Sequence, residues 1–408
     1  MRTIEKLLIF IIILLVLLIG LGFLVGKTYV VEEKEGKKEI SERGTQNRTI
    51  QKLVVKKEEG TPSQKPLPNP PNIIKGIYLT SWSGGSERVI NRVIAKSKES
   101  GVNAVVMDIK DFSGRLAYKS DIPAVQKYGA YEEKIKDVNG VIKKFHENNI
   151  YVIARITVFQ DPIFSSARPD LAIHDTRKVS SSSPPGVETL WQDNHNLSWI
   201  DPASDEAWNY IFAIAKDAAE RGFDELNFDY VRFPSDGNLN NLRYLHFNEQ
   251  IPMRNVLRRF FANLRQTLPD TKLSADVFGY TAIMYENDLG IGQVIEDAYE
   301  MFDYVSPMLY PSHYATTFLG LDNAAKHPYE VVQYTLNHAK KRLAVMATST
   351  RERTVIRPWL QDFDLNGVPY TALMVKSEIR AAEETLGETY AGYMLWDPEN
   401  TYTWEAIE

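Results

Sequence analysis

The sequence predicts an α/β protein of the (β/α)8 barrel class, preceded by a single membrane-spanning helix and an unstructured stalk. Three observations carry this. From Ile73 onward, eight short β-branched or aromatic runs alternate with helical patterns. Residues 73–408 have the length such a barrel needs. The alternative, an open doubly wound sheet, lacks support because neither a G-x-G-x-x-G nor a G-x-x-x-x-G-K-[ST] phosphate loop is present.

The chain divides into three parts: an anchor at 1–26, a stalk at 27–72 and the barrel at 73–408. Arg2 and Lys6 precede Leu7 to Gly26, a run of only Leu, Ile, Val, Phe and Gly. At about 1.5 Å per residue it spans roughly 30 Å of hydrocarbon. No small-residue cleavage pattern follows, so the run reads as an uncleaved signal anchor. A short tail before a large domain places the body outside the cytoplasm, in a single-pass arrangement. The stalk is rich in Lys, Glu, Gln, Thr and Ser and ends in TPSQKPLPNPP, a composition that buries too little apolar surface to offset its ordering entropy.

Charge and composition narrow the body's function. The chain of 408 residues has 44% hydrophobic and 25% charged side chains, ordinary globular values. Its net charge is -6, and because residues 1–72 are net +4, the body is net -10. Nucleic acid is therefore not an expected partner. With no cysteine, thiol nucleophiles, disulfides and zinc-cysteine sites are excluded. The seven histidines form no H-x-x-x-H or H-E-x-x-H pattern and no G-x-S-x-G elbow occurs, which argues against zinc and serine hydrolases. No cofactor or metal is expected.

The strand runs are 75–82, 103–111, 150–159, 223–233, 272–279, 303–311, 355–363 and 390–398. Between them lie helix patterns such as Ser86 to Gly101, and Ser204 to Gly222, which opens on a serine cap and closes on glycine. The segment from Gln160 to Pro202 is inserted after the third strand, and its Ser180 to Pro185 stretch reads as an exposed loop.

In this class, chemistry sits where strands end. Asp108 and Asp111 end the second run, Asp161 follows the third, Asp362 lies in the seventh and Asp397 in the eighth. Any one of these could equally cap a helix or turn. Asp229 and Asp276 differ, because each lies inside an apolar strand, where an idle carboxylate is costly. Period-two alternation puts Glu225, Asn227 and Asp229 on one face, and Ser274 and Asp276 on one face of the next strand. Facing inward, strands about 4.8 Å apart bring the two carboxyls to roughly 5–6 Å, the spacing of a retaining glycosidase pair. A structural acid network with Arg155 or Arg232 is the competing interpretation. Trp82, Trp191, Trp199, Tyr310, Tyr314, Trp359 and Trp396 lie at strand ends or in the insertion, where flat rings could stack on sugars. Trp191 and Trp199, in a polar loop, are the strongest stacking candidates. His313 is the one histidine at an expected strand end.

Four stretches, GFDELNFDYVRFPSDG (222–237), SADVFGY (274–280), SPMLYPSHY (306–314) and GYMLWDPENTY (392–402), resemble the signatures of an uncharacterised bacterial family of glycoside hydrolase domains, distantly related to α-amylase-like barrels. The resemblance covers nearly all of residues 73–408. It implies Asp229 as nucleophile, Asp276 in the acid/base place with a side chain one methylene shorter than the usual glutamate, and Asp362 as a third catalytic carboxylate. Asn227 stands where those barrels carry arginine. The expected activity is retaining hydrolysis of a cell-surface or cell-wall polysaccharide, with Asp108, Arg155, Trp191, Trp199, Arg232, Tyr310, His313, Trp396 and Asp397 around the substrate. A noncatalytic carbohydrate-binding or wall-scaffold barrel is the alternative, and a metal-dependent hydrolase using the aspartate rim a third possibility.

Overall fold

The computed structural model describes residues 60–179, 188–347 and 354–407. The expected anchor, the stalk as far as residue 59 and the Ser180 to Pro185 stretch lie outside the described residues. Among the described residues no helix is long and apolar enough to cross a membrane.

Eight parallel strands close on themselves: β1 (Ile74–Leu79), β2 (Ala104–Lys110), β3 (Tyr151–Thr157), β4 (Glu225–Asp229), β5 (Leu273–Phe278), β6 (Tyr304–Leu309), β7 (Trp359–Gln361) and β8 (Gly392–Trp396). Each pairs with the next, and β8 pairs with β1 through Ile74 and Gly392. Seven fall within the expected runs, and β1 begins one residue before its run, at Ile74. The seventh run is broken in two, because Pro358 has no N–H to continue the ladder; Val355–Ile356 pairs separately with β6.

Among the described residues the longer helices, of seven residues or more, pack outside: α1 (Glu87–Ser100), α2 (Val138–His146), α3 (Asp205–Arg221), α4 (Met253–Thr267), α5 (Ile295–Met301), α6 (Pro328–Ala347) and α7 (Ala372–Leu386). The eighth expected helix is a single 3-10 turn, Trp404–Ala406. Helix α3 shows the local logic. Ser204 Oγ accepts from Ala207 N–H at its start, and Gly222 ends it at φ 94°. A Cβ at Gly222 would stand 2.3 Å from Gln64 O, so that position is closed to other residues on two counts. Gln64 belongs to residues 60–72, expected as the end of the stalk. They have no regular secondary structure, yet they are tied to the amino-terminal end of the barrel by Gln64 N to Arg221 O (2.9 Å) and Leu67 N to Asp224 Oδ1 (2.6 Å).

Strand alternation sorts the side chains. Ile77, Leu79, Val105 and Met107 face the helices, while Ile74, Tyr78, Ala104, Val106, Tyr151, Ile153 and Met394 fill the barrel. At the amino-terminal end the interior is plugged by an ion pair between Arg357 and Glu225, both fully buried, with the guanidinium 4.0 Å from the Tyr304 ring centre. Such a pair is tolerable in the interior because each charge has its counterion.

The insertion after β3 is a folded element. His174–Val179 pairs antiparallel with Glu188–Leu190 and with Leu242–Arg243, the latter from the segment after β4. This corrects the expectation for Trp191 and Trp199, which are each only 1% exposed. Trp191 donates to Asn238 O (3.0 Å) and packs so closely on Gly237 that a Cβ there would be 2.8 Å from its ring. Trp199 donates to Asp193 Oδ2 (2.9 Å) and lies beneath the Arg232 guanidinium. A polar sequence surrounds them because they fasten one loop to another, and no ring face is left for sugar. Trp199→Ala should therefore cost about 3–5 kcal/mol of folding stability, the usual range for emptying a tryptophan site. A melting temperature equal to that of the parent would show that the ring is not core.

Candidate active site

Nine of the expected residues, Arg155, Asp229, Arg232, Asp276, Tyr310, His313, Tyr314, Trp359 and Trp396, line one cavity of about 610 Å³ at the carboxyl ends of the strands. Ligand pockets commonly fall between about 300 and 1,000 Å³. Its walls come from β3 to β8 and the segments that follow them.

The two strand acids meet as alternation requires. Phe228 of β4 is in register with Ala275 of β5, so the next residues, Asp229 and Asp276, end up level on adjacent strands. Asp229 Oδ1 accepts from Tyr230 N–H at 2.6 Å. Tyr230 has φ 54°, in the left-handed region that few non-glycine residues occupy, and this strained turn carries the chain out of β4 and the tyrosine ring into the cavity. Asp276 Oδ1 accepts from Asn227 Nδ2 and Trp359 Nε1, each at 2.8 Å, which leaves Oδ2 for a proton.

Arg155 organises this cluster. Its Nη1 binds Asp108 Oδ1, its Nη2 binds Asp229 Oδ2, and its Nε lies 3.8 Å from Asp276 Oδ2. Asp108 also accepts from the Tyr78 hydroxyl, so it stands behind the cavity and holds Arg155 rather than substrate. Arg155 is in register with Asn227. The guanidinium absent from position 227 is thus supplied by the neighbouring strand, and Asn227 serves as a donor to Asp276. The expected acid network with Arg155 and the expected pair of strand acids are one structure.

Burial, then the nearby charge of Asp229, holds the Asp276 carboxyl well above the usual carboxylate range. Burial works against the Arg155 cation, and the charges of Asp108 and Asp229 more than offset it. Burial also lowers His313, so its imidazole is neutral near pH 7; its ring lies 5.3 Å from that of Tyr310. Trp396 stacks on Tyr78 at 3.9 Å and receives the Arg155 guanidinium 4.9 Å from its centre.

Asp362 and Asp397 lie elsewhere. Alternation that turns Arg357, Trp359 and Gln361 inward turns Asp362 away from the cavity, where Thr403 N–H and Oγ donate to its two oxygens at 2.8 and 2.7 Å. Burial pushes its pKa up to about 6. Asp397 accepts from Glu399 and Thr401 N–H (2.9 and 2.6 Å) and shapes the closing loop. Both are turn-holding carboxylates outside the cavity lining, which corrects the expectation of a catalytic Asp362 and a substrate-facing Asp397; Asp236 and Tyr230 line the wall. Tyr230, Asp236, Phe278 and Tyr280 were not singled out from the sequence, although all four lie inside the quoted motifs.

A closed eight-stranded barrel with an acid pair at its carboxyl-end cavity fits a glycoside hydrolase. Residues 76–402 match the family described as "Putative glycosyl hydrolase domain", and the chain belongs to it. No curated protein matches it. Among solved structures it is similar to a hypothetical protein from Ruminiclostridium thermocellum, at 39% identity over 49% of this chain and 97% of that one, TM-score 0.43. It is also similar to the PgaB glycoside hydrolase domain from Bordetella bronchiseptica, at 14% identity over 80% and 94% of the two chains, TM-score 0.52. A third is the α-galactosidase from Thermus thermophilus, at 14% identity over 84% and 64%, TM-score 0.47. At such low identity the Bordetella domain attests the shared barrel. The family supports a role in glycosidic bond hydrolysis on a carbohydrate substrate.

Proposed function

We propose that the chain is a retaining glycoside hydrolase acting outside the cytoplasm on a cell-surface or cell-wall polysaccharide. The observation that carries the mechanism is the pair of aspartates set level on β4 and β5 against one guanidinium, with Asp276 held toward its acid form. Asp276 protonates the glycosidic oxygen while Asp229 attacks the anomeric carbon, giving a glycosyl-enzyme ester and a free leaving alcohol. Water, deprotonated by Asp276, then cleaves that ester and returns the proton to Asp276. Release of new reducing ends from a polysaccharide panel by the full chain, with product configuration followed by NMR, tests this. A barrel that only bound glycan would leave chain length unchanged, and an inverted first product would remove the covalent step.

The location rests on the apolar run Leu7 to Gly26. Protease added to intact cells should release a folded fragment beginning near residue 60, where the chain first bonds to the barrel. Recovery of that fragment only after lysis would reverse the orientation.

A further inference from the structure

The two arginines on the cavity wall differ in one respect. Arg155 is engaged by three aspartates, whereas Arg232, only 7% exposed, has no carboxylate oxygen within 4 Å among the described residues. Its guanidinium lies 4.9 to 5.0 Å from the ring centres of Trp199, Tyr230 and Phe278, and its one hydrogen bond runs from Nη1 to Phe233 O at 3.1 Å. The Nε–H and Nη2–H edge carries no bond among the described residues and is not sealed from the cavity. That edge is the side-on fork that fits both oxygens of a carboxylate. Ring faces stabilise the cation only partly, and Asp229, Asp236 and Asp193 act on it only from beyond contact and do not offset its burial, so a buried cation with no carboxylate paired to it invites one.

We propose that the substrate of this site carries a carboxylate, as a uronic acid residue does, and that Arg232 pairs with it. The inference rests on the glycosidase assignment for the cavity and adds the substrate class. The body's net charge of -10 does not oppose it, since distant surface charges are screened over about 8–10 Å while Arg232 acts in contact.

The test uses the full chain with its tryptophan fluorescence as binding signal, against polygalacturonate, hyaluronan and alginate and the same polymers after reduction of their carboxyls to alcohols, with wall teichoic acid as a phosphate-bearing control. At least one uronate polymer should bind about tenfold or more tightly than its reduced form. Arg232→Gln should abolish that difference, and Arg232→Lys should restore part of it. If both variants fail to fold, the wild-type preference and its loss on adding salt decide. Equal binding of native and reduced polymers, binding of none of the three, or preference for teichoic acid overturns the proposal. The outcomes separate cleanly from the enzymatic assignment: uronate binding with no new reducing ends from any glycan removes the hydrolase and keeps the ligand, whereas cleavage of neutral glycans untouched by Arg232→Gln does the reverse.

Discussion

Asp229→Asn should leave the barrel folded and lower turnover by roughly four orders of magnitude or more, the scale of losing a covalent nucleophile. The amide matches the carboxylate in size and keeps an oxygen for Tyr230 N–H, but it cannot attack the anomeric carbon. Folding survives because Arg155 retains Asp108 as its counterion. A melting temperature within a few degrees of the parent, together with loss of product in a reducing-end assay, is the expected pair of results. Azide that restores turnover with an inverted glycosyl azide would still mark position 229 as the nucleophile. Full activity in the variant would remove the mechanism and make the β4 carboxylate structural.

Asp276→Asn should also be severe, and its signature is different. Substrates with good leaving groups need no protonation, so their first step should persist and the glycosyl-enzyme should accumulate. Azide should then rescue the second step and give a glycosyl azide of retained configuration, because a small anion needs no general base. The pH profile carries a further sign. The working acid is protonated Asp276, held above the usual carboxylate range by burial and by Asp229, so kcat/KM in the parent should fall as pH rises through that raised pKa. With an activated substrate, this alkaline limb should disappear from Asp276→Asn. Persistence of the limb, or no dependence on leaving group, would assign the acid to another residue on the cavity wall, Asp236 first.

Much of this protein was legible in its sequence because strands and helices write short periods into the chain. Eight β-branched runs at barrel spacing gave eight strands, and alternation by twos correctly placed Asp229, Asp276 and Asn227 on the inner face. The same parity, applied along β7, would have turned Asp362 outward. Its assignment came from resemblance, and the fold gives the carboxylate to Thr403 instead. What tertiary structure alone decided are contacts between residues far apart in the chain, which no local period records. Arg155 joins Asp108 to Asp229 across separations of 47 and 74 residues, making the acids a unit. Trp191 and Trp199 sit in a polar stretch yet are buried, because the insertion folds back on the segment after β4 and joins the main hydrophobic core. Arg232 stands between Val231 and Phe233, apolar neighbours that say nothing of what its guanidinium meets. Only the closing of the barrel encloses it among three rings without a counterion, since burial is a property of the assembled walls and not of the strand that carries the charge.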